Sequence, residues 1–284
     1  MDRDGMIIDG HTHIFPRKVR ENRHSYCQMD PAFREIYGNE KAKLVGPESV
    51  IAAMDDAGVD MAVVCGFPWQ SHDLCVMTND AILEAVQRFP GRLVGFGSVC
   101  LEEPERAPKE IERCAEGGLR GIGELGFYTR KMTRQDCLRM APICRGAVDL
   151  KLPLLLHANE TVGHFYPGKG DTDLKEFYWF ISSYPDLVII LAHWGGGLVF
   201  YEMMPSVARV TRRVYYDTAA SPFLYREVVY RVAHEIVGPD RIIFGSDYPL
   251  LGPERYIREI EGAGLDRLSV EKILGENLRG ILAL

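Results

Sequence analysis

Two imidazoles spaced two residues apart mark the first chemistry in this chain: Asp9-Gly10-His11-Thr12-His13 follows the apolar Ile7-Ile8 and runs into Ile14-Phe15. On a β-strand, side chains at i and i+2 share a face, so Asp9, His11 and His13 line one side, with both imidazoles toward the strand's C-terminal end. Such a pair can offer two nitrogens to one metal ion, although two histidines held by backbone or water would read the same way. Four further segments change the balance. Apolar runs end in Gly123-Glu124-Leu125, Leu156-His157-Ala158, Ala192-His193-Trp194 and Ser246-Asp247-Tyr248. A carboxylate at the end of a buried strand is costly unless it is paired or coordinated. One cation would compensate the group His11, His13, Glu124, His157, His193 and Asp247. The donors are nitrogen and carboxylate without thiolate, which suits Zn(II) and also Mn, Fe or Ni; zinc is the best chemical fit. A divalent ion held in this way keeps a position open for water and lowers that water's pKa to about 7.

Residues so far apart in the chain meet only if the elements carrying them end at one place. Eight short apolar runs, 6–15, 61–68, 93–99, 119–126, 152–158, 188–195, 214–221 and 241–249, are rich in Val, Ile and Leu without strict alternation. That pattern predicts strands buried on both faces. Helical segments lie between them at 47–57, 73–89, 104–116, 134–150, 174–184, 201–210 and 223–237, and two more follow at 253–262 and 269–282. Pro, Ser, Thr or Asp stands near several of the starts, and Gly58, Gly117 and Gly238 stand just past ends, which is ordinary start and stop chemistry. The alternation implies parallel strands with right-handed crossovers. Its simplest closed form is an α/β fold of one domain over residues 1–284, a (β/α)8 TIM barrel with the metal site at the C-terminal ends of its strands. Two long connections, 16–46 and 159–172, both follow strands and are expected to act as lids or binding loops over that face.

Composition narrows the function classes. The 284 residues are 46% hydrophobic and 26% charged, which is the balance of a folded globular protein. With 33 Lys and Arg against 40 Asp and Glu, the formal charge of −7 has the wrong sign for affinity built on phosphate neutralisation, so nucleic acid is not an expected partner. No apolar run approaches the roughly 20 residues of a membrane helix. The opening residues, Met1-Asp2-Arg3-Asp4-Gly5-Met6, lack the pattern of a secretory leader, and a cytoplasmic location is expected. The seven cysteines show no metal-type pairing and are expected to be buried and inert. His24, His72 and His164 fall in loops, and His234 falls in a helix.

Taken together, Asp9-x-His11-x-His13, His157, His193 followed by Gly195-Gly196-Gly197, and Gly245-Ser246-Asp247-Tyr248-Pro249 resemble the amidohydrolase superfamily, in particular its amidohydrolase-related family 2 branch. The resemblance extends to the final helix at Lys272-Ile273-Leu274-Gly275-Glu276-Asn277. It implies a barrel in which His11, His13, His157 and Asp247 hold a divalent ion. Asp247 would accept a proton from metal-bound water, and His193 would act as a base or as a ligand to a second ion. Many binuclear relatives carry a carboxylated lysine at the end of strand four, where this chain has Glu124. A glutamate there resembles TatD-type nucleases and some phosphotriesterase relatives, in which it bridges two metals. The family 2 decarboxylases typically use one, so one or two ions are expected.

The leading expectation is a metal-dependent hydrolase acting on an ester, amide or lactone bond of a small molecule, with Asp247 passing the proton to the leaving group. The alternative is a non-oxidative decarboxylase of a small aromatic or unsaturated carboxylic acid. Arg17, Lys18, Arg20 and Arg23 in the first long loop, or Arg130 and Lys131 after strand four, would then meet its carboxylates, unless they are ordinary solvated charges. A non-catalytic binding barrel is the third reading. Trp69, Tyr128, Arg130, Trp194 and Tyr248, with Phe67 and Phe127, are expected around the substrate, although such rings also pack loops. The family resemblance makes a homodimer compatible with this chain.

Overall fold

The computed structural model of the chain describes residues 5–284. Residues 1–4, on which the reading of a leaderless start partly rests, lie outside the described residues. Eight parallel strands, β1 (Ile8–His13), β2 (Met61–Cys65), β3 (Leu93–Gly97), β4 (Gly121–Leu125), β5 (Leu154–Leu156), β6 (Ile189–Leu191), β7 (Val214–Asp217) and β8 (Ile242–Ile243), pair in the order of the chain. The expected (β/α)8 barrel is the observed fold. Its seam is closed by the segment just beyond β8. Gly10 N–H donates to Phe244 O at 2.8 Å, His13 N–H to Tyr248 O at 2.7 Å, and Asp247 N–H to His11 O at 2.8 Å. The first and last ligand-bearing segments are therefore stitched backbone to backbone.

Alternation along each strand separates two cores. Ile8, Val63, Val94, Phe96, Leu155, Ile190 and Ile243 fill the barrel interior, where Leu278 and Leu282 of the last helix join them. Their neighbours Ala62, Val64, Leu93, Leu154, Leu156, Ile189 and Leu191 face the surrounding helices. Both faces are apolar, which is why these runs read as continuous hydrophobic stretches. Burying one such aliphatic side chain is worth roughly 1.5–3 kcal/mol. No helix among the described residues is long and apolar enough to cross a membrane.

The long connection after β1 contains three short helices, Arg17–Glu21, Arg23–Met29 and Pro31–Tyr37. Phe15, Val19, Phe33, Phe67 and Trp69 form a third apolar cluster beneath them. Three expected helices are divided. The 134–150 segment breaks at Met140, because Pro142 opens a new helix over Ala141–Asp149. The 223–237 segment is Ser221–Leu224 followed by Val229–Val237. Of 201–210, only Pro205–Val210 is α-helical; Tyr201–Met203 end a 3-10 helix and Met204 is extended.

Candidate metal centre and active site

The ends of β1, β4, β5, β6 and β8 deliver six ligand-capable side chains to one place. His11 Nε2 lies 3.1 Å from His13 Nε2, and Asp247 Oδ1 lies 3.8 and 3.2 Å from those two nitrogens. Glu124 Oε2 is 3.7 Å from each of the same nitrogens. Its other oxygen is 3.0 Å from His157 Nδ1 and 3.9 Å from His193 Nε2. The six form two adjoining trios, His11, His13, Asp247 and Glu124, His157, His193, each with donor atoms within 4.8 Å of one another. Donors bound about 2.0–2.2 Å from a tetrahedral cation stand roughly 3.3–3.6 Å apart, so the first trio already has the spacing of a coordination shell. Two ring nitrogens facing each other at 3.1 Å have lone pairs in conflict unless a proton or a cation lies between them. The donor set and its spacing fit a divalent ion.

Buried neighbours aim these donors. Asp217, at the end of β7, accepts from His11 Nδ1 at 2.8 Å, which turns Nε2 toward the other ligands. The same carboxylate accepts the backbone N–H groups of His193 and Ala219 at 2.8 and 3.0 Å. His193 Nδ1 bonds Ala219 O at 3.1 Å and His157 Nε2 bonds Gly168 O at 3.1 Å, leaving one nitrogen of each ring for the site. Tyr128 OH donates to Glu124 Oε2 at 3.2 Å. Asp9 does not join the ligands; it accepts from Ser246 Oγ at 2.5 Å and from Ser246 N–H at 2.9 Å, and burial pushes its carboxyl up to about 6. Burial also works against ionised Glu124, yet His11 and His157 outweigh it and hold that carboxyl well below its usual range. At Asp247 burial is likewise outweighed, by His13 and His11, and the pKa is lowered. Burial opposes a charged His11, but Asp217 and Glu124 raise its pKa well above the ordinary imidazole value. Asp217 escaped the sequence reading, although Val214-Tyr215-Tyr216-Asp217 carries the same signal of an acid closing an apolar run.

Local backbone conformation explains the three glycines after His193. His193, Trp194, Gly195, Gly196 and Gly197 all have positive φ, from 57° to 91°. At Gly196 a Cβ would lie 2.2 Å from Asn159 O, so the turn after β6 packs directly on the end of β5. Asn159 Nδ2 in turn donates to Gly170 O at 2.6 Å and closes the base of the β5 loop.

Above the ligands opens a cavity of about 500 Å³, with His13, Glu124, His157, His193 and Asp247 at its floor. Tyr37, Phe67, Tyr128, Tyr166 and Phe223 contribute its aromatic walls, and Asn39, Lys41 and Lys43 are also among its lining residues. Of the seven residues expected around a substrate, Tyr128 and Phe67 line this space, and Phe127 does not. Trp69 is buried in the cluster under the first loop, its Nε1–H donating to Thr78 Oγ1 at 2.8 Å. Trp194 is fully buried on the helix side, where Nε1–H donates to Ser221 Oγ at 2.7 Å and its ring meets Tyr230 edge to face. Arg130 is held by Asp136 and Glu102, both at 2.8 Å. Tyr248 packs against the main core and is not among the lining residues. The first-loop cations are engaged elsewhere as well. Arg17 pairs with Glu21, Arg20 donates to Phe15 O, and Arg23 donates to Asn39 O and Ala42 O. Lys18 is exposed and absent from the lining, and Lys131 pairs with Asp171 at 3.3 Å. His164 lines the cavity from the β5 loop. All seven cysteines are buried and unpaired, as expected.

A family model described as amidohydrolase matches residues 8–282. A 2-amino-3-carboxymuconate-6-semialdehyde decarboxylase of Dictyostelium discoideum is 23% identical over 344 aligned residues, covering 98% of this chain and 91% of that protein. A gamma-resorcylate decarboxylase of a Polaromonas species is 23% identical over 72% of this chain and 75% of its own length. Among solved structures, a 5-carboxyvanillate decarboxylase from Novosphingobium aromaticivorans shares the fold with a TM-score of 0.80 at 19% identity, covering 100% of this chain and 97% of that one. That structure holds manganese and 4-hydroxy-3-methoxy-5-nitrobenzoic acid. Each of these relatives is a decarboxylase, which overturns the expectation of hydrolysis and favours its alternative. The ion in that structure is manganese, so the expected preference for zinc finds no support there.

Proposed function

The chain belongs to the amidohydrolase family, and from that membership we propose that it is a metal-dependent, non-oxidative decarboxylase of a small aromatic or unsaturated carboxylic acid. The observation that carries the reading is a floor of converging histidines and carboxylates beneath an aromatic-walled cavity of about 500 Å³. Two relatives matched over most of the chain, both decarboxylases, support it.

Decarboxylation breaks one carbon–carbon bond, releases carbon dioxide and leaves an electron pair on carbon that must take up a proton. No outside oxidant or reductant is needed. A bound divalent ion supplies charge neutralisation for the acid's oxygens. His11, His13, His157 and Asp247 are the residues that would hold it. Phe67 and Tyr128, whose rings stand 6.0 Å apart with an angle of 16° between their planes, offer flat surfaces for an unsaturated substrate. Asp247, kept ionised by His13 and His11, can store a proton at Oδ1, and His193 presents Nε2 on the opposite side of Glu124 for the same purpose. Residues of the loops after β1 and β5, Tyr37 and Tyr166 among them, line the cavity.

Carbon dioxide release from a panel including 2,6-dihydroxybenzoate and 5-carboxyvanillate tests the proposal. Activity should vanish on chelation and return with Mn(II) or Zn(II), and metal analysis of the restored enzyme counts its ions. Asp247→Asn and His193→Ala should each slow release by about 10²-fold or more. A fully metallated enzyme that releases no carbon dioxide from any member of the panel overturns the reading.

A further inference from the structure

We propose that Lys41 and Lys43 form a second anion-binding point in the cavity, so that the preferred substrate is a dianion: one carboxylate at the metal-ligand floor, an unsaturated body between the aromatic walls, and a second acidic group at the lysines. This rests on the decarboxylase reading only for the identity of the first carboxylate. Among the described residues lining the cavity, Lys41 and Lys43 are the only lysines, and no arginine joins them. Both are exposed, and neither ammonium group has a carboxylate partner among the described residues. Arg17, Arg20 and Arg23, by contrast, are committed to Glu21 or to backbone carbonyls.

The segment that carries the two lysines is built rather than slack. The Asn39 side chain accepts from Lys41 N–H at 3.0 Å, and Ala42 N–H donates to Asn39 O at 2.9 Å. The Arg23 guanidinium holds the carbonyls of Asn39 and Ala42 at 2.8 and 2.6 Å. Phe15 N–H donates to Val45 O at 2.9 Å and ties the far side of the segment to the end of β1. Lys41 and Lys43, with Ala42 between them, thus reach the cavity from one short anchored stretch. Two ammonium groups on one rim attract an anion within a Debye length of about 8 Å at physiological ionic strength. Charge-assisted hydrogen bonds from them are stronger than neutral ones. A monoacid would leave both groups unused.

Binding measured by calorimetry on the Mn(II)-loaded enzyme tests this without turnover. The probes are isophthalate, terephthalate and biphenyl-4,4′-dicarboxylate, which differ in reach, each compared with benzoate or biphenyl-4-carboxylate. At least one diacid should bind about tenfold more tightly than its monoacid partner. The double variant Lys41→Gln/Lys43→Gln should lose that preference, with monoacid affinity changed less than twofold, and Lys41→Arg/Lys43→Arg should keep it. Equal affinity for diacids and monoacids in the native enzyme, or a preference that survives the glutamine variant, overturns the proposal. Lysine-dependent diacid binding without carbon dioxide release would instead retain the anion point and discard the decarboxylase reading.

Discussion

Asp217 decides which nitrogen of His11 faces the other ligands. Its carboxylate is fully buried and bonds His11 Nδ1 as well as two backbone N–H groups. Replacing it with Asn keeps the shape but removes the charge and admits an amide that can donate to Nδ1. Partners of this kind typically account for 10–100-fold in metal affinity. Asp217→Asn is therefore expected to weaken Mn(II) or Zn(II) binding by that factor in a competition titration with a chromogenic chelator; unchanged affinity would reduce Asp217 to a packing role. The six ligand-capable residues were legible in the sequence because each breaks an apolar run at a strand end, where burial gives a polar group no other purpose. Asp217 carries the same signal but bonds a ligand-capable histidine, and a strand pattern does not separate those two duties. Trp69 and Trp194 misled for a different reason. Trp194 stands next to His193, and the left-handed turn there sends its ring to the helix side; Trp69 lies two residues past Phe67 and turns into the cluster under the first loop. Lys41 and Lys43 sit in a loop without periodicity, so only the folded path of residues 39–45 brings them to the cavity.

At the scale of elements, the strands and most helices followed from apolar pattern and capping, while the turns did not. Pro142 shows the limit: a proline in the middle of an apparent helix can open a helix or break one, and here it does both. The left-handed turn from His193 to Gly197 is the most demanding local structure, since an L-residue in that conformation costs roughly 1–2 kcal/mol. Gly196→Ala adds a collision with Asn159 O to that strain. Gly58, also at positive φ, has open space around the missing Cβ and separates the two effects. Urea unfolding should show Gly58→Ala costing about 1 kcal/mol and Gly196→Ala at least about 2 kcal/mol, with less metal bound per mole in the latter. Equal losses at the two positions would mean that the β5–β6 contact yields.

At the scale of the whole molecule, the site gathers several buried carboxylates and imidazoles at the mouth of an otherwise apolar barrel. A ligand that binds only the folded state adds stability by mass action, about 2.7 kcal/mol at a free concentration 100 times its Kd. For a chain of this size that corresponds to a rise in Tm of roughly 4–5 °C. Scanning calorimetry before and after dialysis against a chelator should show a drop of that order, reversed by Mn(II) or Zn(II); an unchanged Tm would mean that the floor is organised without a cation. The seam between β1 and the segment after β8 also sets an order of events during synthesis. His11 and His13 leave the ribosome roughly 10–50 s before Asp247 at ordinary elongation rates, and throughout that interval the histidine pair lacks the backbone bonds that complete its strand's pairing. A cation meeting the nascent chain would find an incomplete set of donors; the six ligand-capable side chains come together only in the finished barrel.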